Sequence, residues 1–209
     1  MKKVIVVGGS SGIGASVIEL LKNDYEVINM SRRKNEGIEN NIYVDVTDIE
    51  SIKMAFEDRA DIYALIYCAG IVDVGNIIDL SPEMFKKTID TNLVGAFLVT
   101  KEFIKVKAEC SNIVFIASTS GTRPQPLWAG YAASKAGLIN FALTASEEFK
   151  ESGIDVFCVT PGRCATELRR KIAPDEDPSK IMQPSSVAEF IKYLIEFGKH
   201  LRGQSIIIK

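Results

Sequence analysis

Tyr131 and Lys135 stand four positions apart in Tyr131-Ala-Ala-Ser-Lys135. On a helix this spacing puts a phenol and an ammonium on one face, about 5–6 Å apart at Cβ. A phenol with a pKa of about 10 is a poor base at neutrality, and efficient acid–base work wants a value nearer the working pH. Moving it by about three units takes roughly 4 kcal/mol of preference for the phenolate. One cation about 4 Å away supplies that amount at an effective dielectric near 20. The pair therefore suits proton transfer to or from an oxygen. With 6 tyrosines in the chain, chance alone gives a pair of this kind about half the time, so its surroundings decide. Ile113-Val-Phe-Ile-Ala-Ser118 is a buried-strand pattern that ends in a hydroxyl thirteen positions before Tyr131.

A second group of residues suits an anion. The run Val4-Ile-Val-Val7 leads into Gly8-Gly9-Ser10-Ser11-Gly12-Ile13-Gly14, which opens a helix. Glycine lets the backbone turn sharply and approach a diphosphate, whose charge a helix N-terminus favours. A plain strand-to-helix turn is the alternative. The spacing is Gly-x-x-x-Gly-x-Gly, not the Gly-x-Gly-x-x-Gly of the commonest dinucleotide fingerprint. At the end of the next strand, Asn29-Met30-Ser31-Arg32-Arg33 offers no carboxylate for a ribose 2′-hydroxyl, but two guanidiniums that pair well with a phosphate. NADP(H) is expected over NAD(H), against the alternative that Arg32 and Arg33 are solvated turn residues.

These groups need a scaffold, and the chain alternates short apolar runs with longer helical stretches. Strands are predicted at residues 4–7, 27–30, 42–44, 63–67, 113–116, 156–159 and 205–208. Helices are predicted at 13–22, 49–59, 82–107, 131–151 and 185–197. Ser81-Pro82-Glu83 is a good helix start, with serine as cap and proline at the first helical position. Near-continuous apolar strands are buried on both faces, and strands separated by helices connect by right-handed crossovers. The expected fold is α/β: a Rossmann-type, doubly wound parallel sheet of about seven strands in a single domain over residues 1–209. Ala173-Pro174-Asp175-Glu176-Asp177-Pro178 is polar and proline-bearing, so the stretch from about 167 to 184 is expected to be a mobile loop.

Composition narrows the function classes. The 209 residues carry 25 Lys+Arg against 27 Asp+Glu, a net charge of −2, with no basic surplus for a nucleic-acid backbone or an anionic membrane. No apolar run approaches the roughly 20 residues that span a bilayer. Residues 4–7 are too short for the apolar region of a signal peptide. Cys68, Cys110, Cys158 and Cys164 show no Cys-x-x-Cys spacing, and with a single histidine, His200, no conventional zinc site is expected. These features together predict a reduced, cytoplasmic protein without a metal.

Taken in order, the motifs resemble those of the short-chain dehydrogenase/reductase family. Its glycine loop usually reads Thr-Gly-x-x-x-Gly-x-Gly; here Val7 replaces the threonine. Thr91-Asn92-Leu-Val-Gly95 resembles its asparagine motif, and Ser118 with Tyr131-Ala-Ala-Ser-Lys-Ala-Gly137 resembles its active site. Pro161-Gly162-Arg-Cys-Ala-Thr166 matches a segment that packs on the nicotinamide carboxamide. Asp45, with Val46 beside it, matches an aspartate near the adenine, against the alternative of a plain polar residue at a strand end. The family's Asn-Asn-Ala-Gly appears as Tyr67-Cys68-Ala69-Gly70, which implies only backbone proximity to the cofactor for Cys68, Ala69 and Gly70.

The resemblance implies hydride transfer between nicotinamide and a small carbonyl or alcohol. Tyr131 would be the general acid/base, and Lys135 would lower its pKa and hold the nicotinamide ribose. Ser118 would steady the substrate oxygen, and Asn92 would position a water in a proton relay. The plainer alternatives are a strand-end hydroxyl capping backbone for Ser118 and an amide satisfying a local carbonyl for Asn92. For the whole chain the alternative is a dinucleotide-binding regulator without turnover. Arg123, Trp128, Arg163, Arg169 and Arg170 fall in segments that would wall the substrate pocket, where guanidiniums could hold an anion; the alternative, and the favoured one, is ordinary solvated surface. The short stretch from Thr166 to Pro184 suggests a small or open pocket.

Assembly is the last expectation. Leu93, Phe97, Val99, Ile104 and Val106 on one long helix, and Leu138, Phe141, Leu143 and Phe149 on another, exceed a single apolar stripe. In the family such helices build a two-fold interface, so a homodimer is expected. The chain ends at Lys209 without the family's usual tail, which favours a dimer over a tetramer.

Overall fold

The apolar runs form strands because both of their faces have somewhere to go. The computed structural model describes residues 1–209. Its strands are β1 (Lys3–Val7), β2 (Glu26–Met30), β3 (Asn41–Ile42), β4 (Ile62–Tyr67), β5 (Lys107–Ile116), β6 (Ile154–Pro161) and β7 (Ser205–Ile208). All pair in parallel, in the order β3-β2-β1-β4-β5-β6-β7, which is the expected doubly wound α/β sheet. The helices are α1 (Gly12–Leu21), α2 (Ile49–Phe56), α3 (Pro82–Ile89), α4 (Gly95–Val106), α5 (Ala129–Glu148), α6 (Glu167–Ile172) and α7 (Pro184–Phe197). No helix is long and apolar enough to cross a membrane.

Alternation along β1 divides the core. Val4 and Val6 join one cluster with Val17, Ile18 and Leu21 of α1 and Ile191 and Leu194 of α7. Ile5 and Val7 join the other, with Ile52 of α2, Phe103 of α4 and Leu138 of α5. β1 lies between β2 and β4, so the chain's direction of progress across the sheet reverses there. The crevice beyond the strand ends at this switch point is where open α/β sheets bind ligands.

Several boundaries differ from the sequence expectation. The single helix expected over 82–107 is broken into α3, a π-helical turn at Asp90–Val94, and α4. The Tyr67 hydroxyl donates to the Thr91 carbonyl at 2.6 Å, and a side chain entering the ladder of a helix is a recognised cause of such a break. Lys107 already belongs to β5, whose polar first half escapes an apolar pattern. Its pairing with β4 jumps from Ile62–Lys107 to Ala64–Asn112, leaving an irregular lead-in. β3 stops at Ile42, short of the expected Val44, where Tyr43 turns outward. α2 ends three residues early, before Asp58 adopts a left-handed φ of 57°. The stretch 167–184 carries α6 and a 3₁₀ turn at Pro178–Lys180.

The surplus apolar residues on the two long helices are mostly used within the chain. Val99 and Leu138 are fully buried, and Leu93, Ile104, Val106, Phe141 and Phe149 rest against the core. Phe97 stays 45 % exposed, and Val94 beside it 38 %.

Candidate active site

The glycine turn is fixed by how closely other backbone passes. Gly8 has φ of +83° and Gly12 of +56°, conformations that side-chain-bearing residues rarely adopt. A Cβ on Gly8 would lie 2.6 Å from the Ala69 nitrogen, so the turn after β1 is pressed against the segment after β4. Ser11 stands at the N-cap of α1 but makes no side-chain capping bond, leaving the first N–H groups of that helix turned to the cleft. Open N–H groups, close backbone and a helix N-terminus together fit a diphosphate.

Three asparagines that sequence reasoning missed hold this turn. Asn29, fully buried in β2, accepts from the Gly9 N–H at 3.1 Å and donates to Asn41 Oδ1 at 2.8 Å and to the Arg33 carbonyl at 3.4 Å. Asn35 Nδ2 donates to the Gly9 carbonyl at 2.8 Å, and Asn41 Nδ2 donates back to the Asn35 carbonyl at 3.1 Å. The available signal was Asn29 itself, an amide in an otherwise apolar buried strand, where a polar group needs partners.

Beyond β2, the Ser31 hydroxyl donates to the Arg33 carbonyl and shapes the turn that carries both arginines. Arg33 Nη2 lies 3.5 Å from Ser11 Oγ and 3.8 Å from a Glu167 carboxylate oxygen. Asp45 Oδ1 accepts from the Thr47 N–H at 2.9 Å and hydroxyl at 2.7 Å. Burial disfavours its charge, but the Thr47 bonds, with Arg32 and Lys87 nearby, hold the carboxyl below its ordinary pKa.

At the reacting end, α5 presents Tyr131 and Lys135 from one face. Both are nearly buried, and Lys135 Nζ lies 5.7 Å from the centre of the Tyr131 ring. The expected lowering of the Tyr131 pKa by Lys135 is not what this arrangement produces. Burial pushes the phenol up, and the Ser118 hydroxyl beside it pulls it only partway back. Lys135 instead donates to the Ile116 carbonyl at 2.8 Å, and burial brings its own pKa down to about 8. Ser118 Oγ accepts from the Ser120 N–H at 3.2 Å, leaving its proton free to donate.

Asn92 is the exception among the expected residues, because it does not line the cleft. Its amide is bonded to neighbouring residues behind the wall. Oδ1 accepts from the Ile71 N–H at 2.8 Å, and Nδ2 donates to the Ile71 carbonyl and to Ser134 Oγ, each at 2.9 Å. Ser134 in turn donates to the Tyr131 carbonyl at 2.7 Å. The side chain thus ties the loop after Gly70 to α5.

The remaining expected residues, from Gly8 to Thr166, line a single cleft of about 630 Å³, a size suited to a small-molecule ligand. Cys68, Ala69 and Gly70 form its floor, and a Cβ on Gly70 would meet Lys135 Nζ at 3.6 Å. Pro161 and Gly162 close one side where β6 ends, the Gly162 N–H donating to the Ile208 carbonyl at 2.9 Å. Thr166 caps α6, accepting from the Arg169 N–H at 3.1 Å, and its methyl packs on Gly12. Arg123, Trp128, Arg163 and Arg169 lie on the rim; Arg170 does not.

Comparisons with known proteins give the family. A family model described as short chain dehydrogenase matches residues 2–177. The 3-oxoacyl-acyl-carrier-protein reductase MabA of Mycobacterium avium is 32% identical over 180 residues, covering 82% of this chain and 70% of the relative. Among solved structures, an actinorhodin polyketide ketoreductase variant with NADPH superposes with a TM-score of 0.89 at 27% identity, covering 99% of this chain and 95% of the other. A 4-hydroxyisoleucine dehydrogenase complexed with NADH gives 0.90 at 28% identity, covering 100% and 97%.

Proposed function

The chain belongs to the short chain dehydrogenase family, and from that premise we propose that it is an NADP(H)-dependent oxidoreductase working on small carbonyl compounds in the direction of reduction. The observation that carries this reading is Tyr131: a phenol kept protonated by burial, yet opening on the cleft, with Ser118 and Lys135 beside it. A proton donor at neutral pH is what a carbonyl oxygen needs as it gains negative charge.

A bound dinucleotide would supply the hydride. Tyr131 Oη delivers the proton to the substrate oxygen, and Ser118, its own proton free, donates a hydrogen bond to that oxygen and fixes its position. Lys135, still mostly charged at pH 7, lies in the same pocket and would hold the nicotinamide ribose. Asn92 acts as a positioning residue through Ile71, Ser134 and the Tyr131 backbone. At the other end, the first turn of α1 and the glycine turn would hold the diphosphate, Asp45 would lie near the adenine, and Arg32 and Arg33 would grip a 2′-phosphate. The solved relatives include one with NADPH and one with NADH, so the choice rests on this chain's own residues: Ser31 where an acidic selector would stand, and two guanidiniums after it.

We read residues 1–209 as one dinucleotide-binding and catalytic domain, since every strand joins one sheet. The four unpaired cysteines support a reducing, cytoplasmic setting. Exposed Val94 and Phe97 support a two-fold dimer through α4 and α5. The test of the activity is the absorbance of NADPH at its reduced-nicotinamide band while aldehydes and ketones are added. Consumption with NADPH, and much slower consumption with NADH, is expected. Tight NADPH binding without consumption across the panel would favour a regulator instead.

A further inference from the structure

We infer that Arg123 makes this cleft selective for carbonyl compounds that carry an anionic oxygen group, a carboxylate or a phosphate. Five guanidiniums line the cleft, and three of them are bonded within the chain. Glu176 takes two: Arg163 Nη1 at 2.9 Å, and Arg169 through Nε at 2.6 Å and Nη2 at 3.0 Å. Those bonds hold the Glu176 carboxyl below its ordinary pKa, so it stays charged and keeps both partners. Arg33 faces Ser11 and Glu167; Arg32, next to it in the turn after β2, makes no bond of its own but lies at the nucleotide end, near Asp45. Arg123 forms no ion pair or hydrogen bond with any other residue of the chain.

Its place along the cleft is set by Gly121. The turn Thr119–Gly121 follows Ser118, and a Cβ on Gly121 would lie 2.6 Å from the Lys135 carbonyl carbon and 2.7 Å from the Ala136 nitrogen. The loop is therefore seated directly on α5 at its reacting face. Arg123 follows two residues later, so its Cα is within about 7 Å of Gly121. At the far end of the same loop, Trp128 packs edge-on against Tyr131, with ring centres 5.7 Å apart. The loop that carries Arg123 is thus anchored to α5 on both sides of it, at Gly121 and at Trp128, and Arg123 lines the cleft from that loop, exposed to solvent. A carbonyl oxygen at Tyr131 and an anion a few bonds away would meet the two groups together, the fork of a guanidinium suiting either oxyanion.

The inference rests on the reductase reading for where the reacting carbonyl sits, and its test separates the two. Acetoacetate is compared with its neutral ethyl ester, and dihydroxyacetone phosphate with dihydroxyacetone; the two pairs distinguish a carboxylate site from a phosphate site. The wild type is compared with Arg123→Gln and Arg123→Lys, with Arg170→Gln as a control off the cleft. Trp128, the one tryptophan in the chain, reports binding without turnover by its fluorescence.

The expected result is a preference of about tenfold in kcat/KM for the anionic member of at least one pair, expressed in KM. Arg123→Gln removes the preference, Arg123→Lys regains part of it, and Arg170→Gln keeps it. Reduction without charge preference, or a preference indifferent to Arg123, overturns the inference and leaves the reductase reading standing. A saturable, Arg123-dependent change in Trp128 fluorescence without any reduction leaves the anion site standing and counts against the reductase. Neither reduction nor a fluorescence change overturns both.

Discussion

The Tyr67 hydroxyl donates to the Thr91 carbonyl at 2.6 Å, inside the widened helical turn that carries Asn92. The phenol is fully buried, and the helix makes room for it at Gly95, where a Cβ would come within 2.7 Å of Tyr67 Oη and 2.9 Å of the Val46 carbonyl oxygen. Tyr67→Phe leaves a buried carbonyl without that partner and should cost about 1–3 kcal/mol in a urea titration. Gly95→Ala should cost more, because the Val46 backbone cannot move aside. A Tyr67→Phe protein as stable as the wild type would mean the turn is held by something else.

Cofactor selection should follow Arg32 and Arg33. Replacing both with Ala should weaken NADPH binding by ~2–4 kcal/mol, from charge-assisted bonds reduced by exposure, and barely move NADH. Glu167 stands 3.8 Å from Arg33 and competes with a phosphate for it, so Glu167→Gln should tighten NADPH a few-fold. Equal losses for both cofactors in the double variant, measured by calorimetry, would remove the assignment.

Lys135 should leave a signature in stability against pH. Burial lowers its pKa from 10.5 to about 8, so between those values the unfolded chain keeps a proton that the folded chain has released. Its contribution therefore rises with pH across that window, by up to ~1.4 kcal/mol per unit, and is lost as pH falls toward 8. Lys135→Met should flatten this rise in denaturation curves taken at pH 8 and pH 10 without added cofactor. An identical slope in both proteins would show that Lys135 is not held in this environment.

How much of this was legible in the sequence depended on the range of the interaction. The strands and their buried faces follow from local apolar runs, and the glycine turn and the Tyr131–Lys135 spacing are local as well. The break at Asp90–Val94 was not legible, because its partner Tyr67 lies 24 residues away and nothing local in 82–107 ends a helix. The same holds for the charges on the rim. Arg163, Arg169 and Arg123 look alike in sequence, and only the folded loop shows that Glu176 takes the first two. Asn92 could be recognised as a residue of interest, but its partners on Ile71 and Ser134 had to be seen.

Assembly should depend on Phe97. Most of the apolar surplus on α4 and α5 is spent inside the chain, which leaves Phe97 and Val94 as the exposed remainder. Light scattering on a dilution series should give twice the 23.0 kDa chain mass, and Phe97→Glu should shift it toward one chain. A wild-type mass near 23.0 kDa at micromolar concentration would refute the dimer.

The proton on Tyr131 is the centre of the account, and Tyr131→Phe tests it most directly. The substitution removes one hydroxyl and keeps the ring packed against Trp128, so NADPH affinity should stay close to wild type. Turnover of a reducible carbonyl should fall by about 10²–10⁴-fold, the usual worth of general acid–base catalysis. A Tyr131→Phe protein that binds NADPH and reduces the same carbonyl at the wild-type rate would contradict the account.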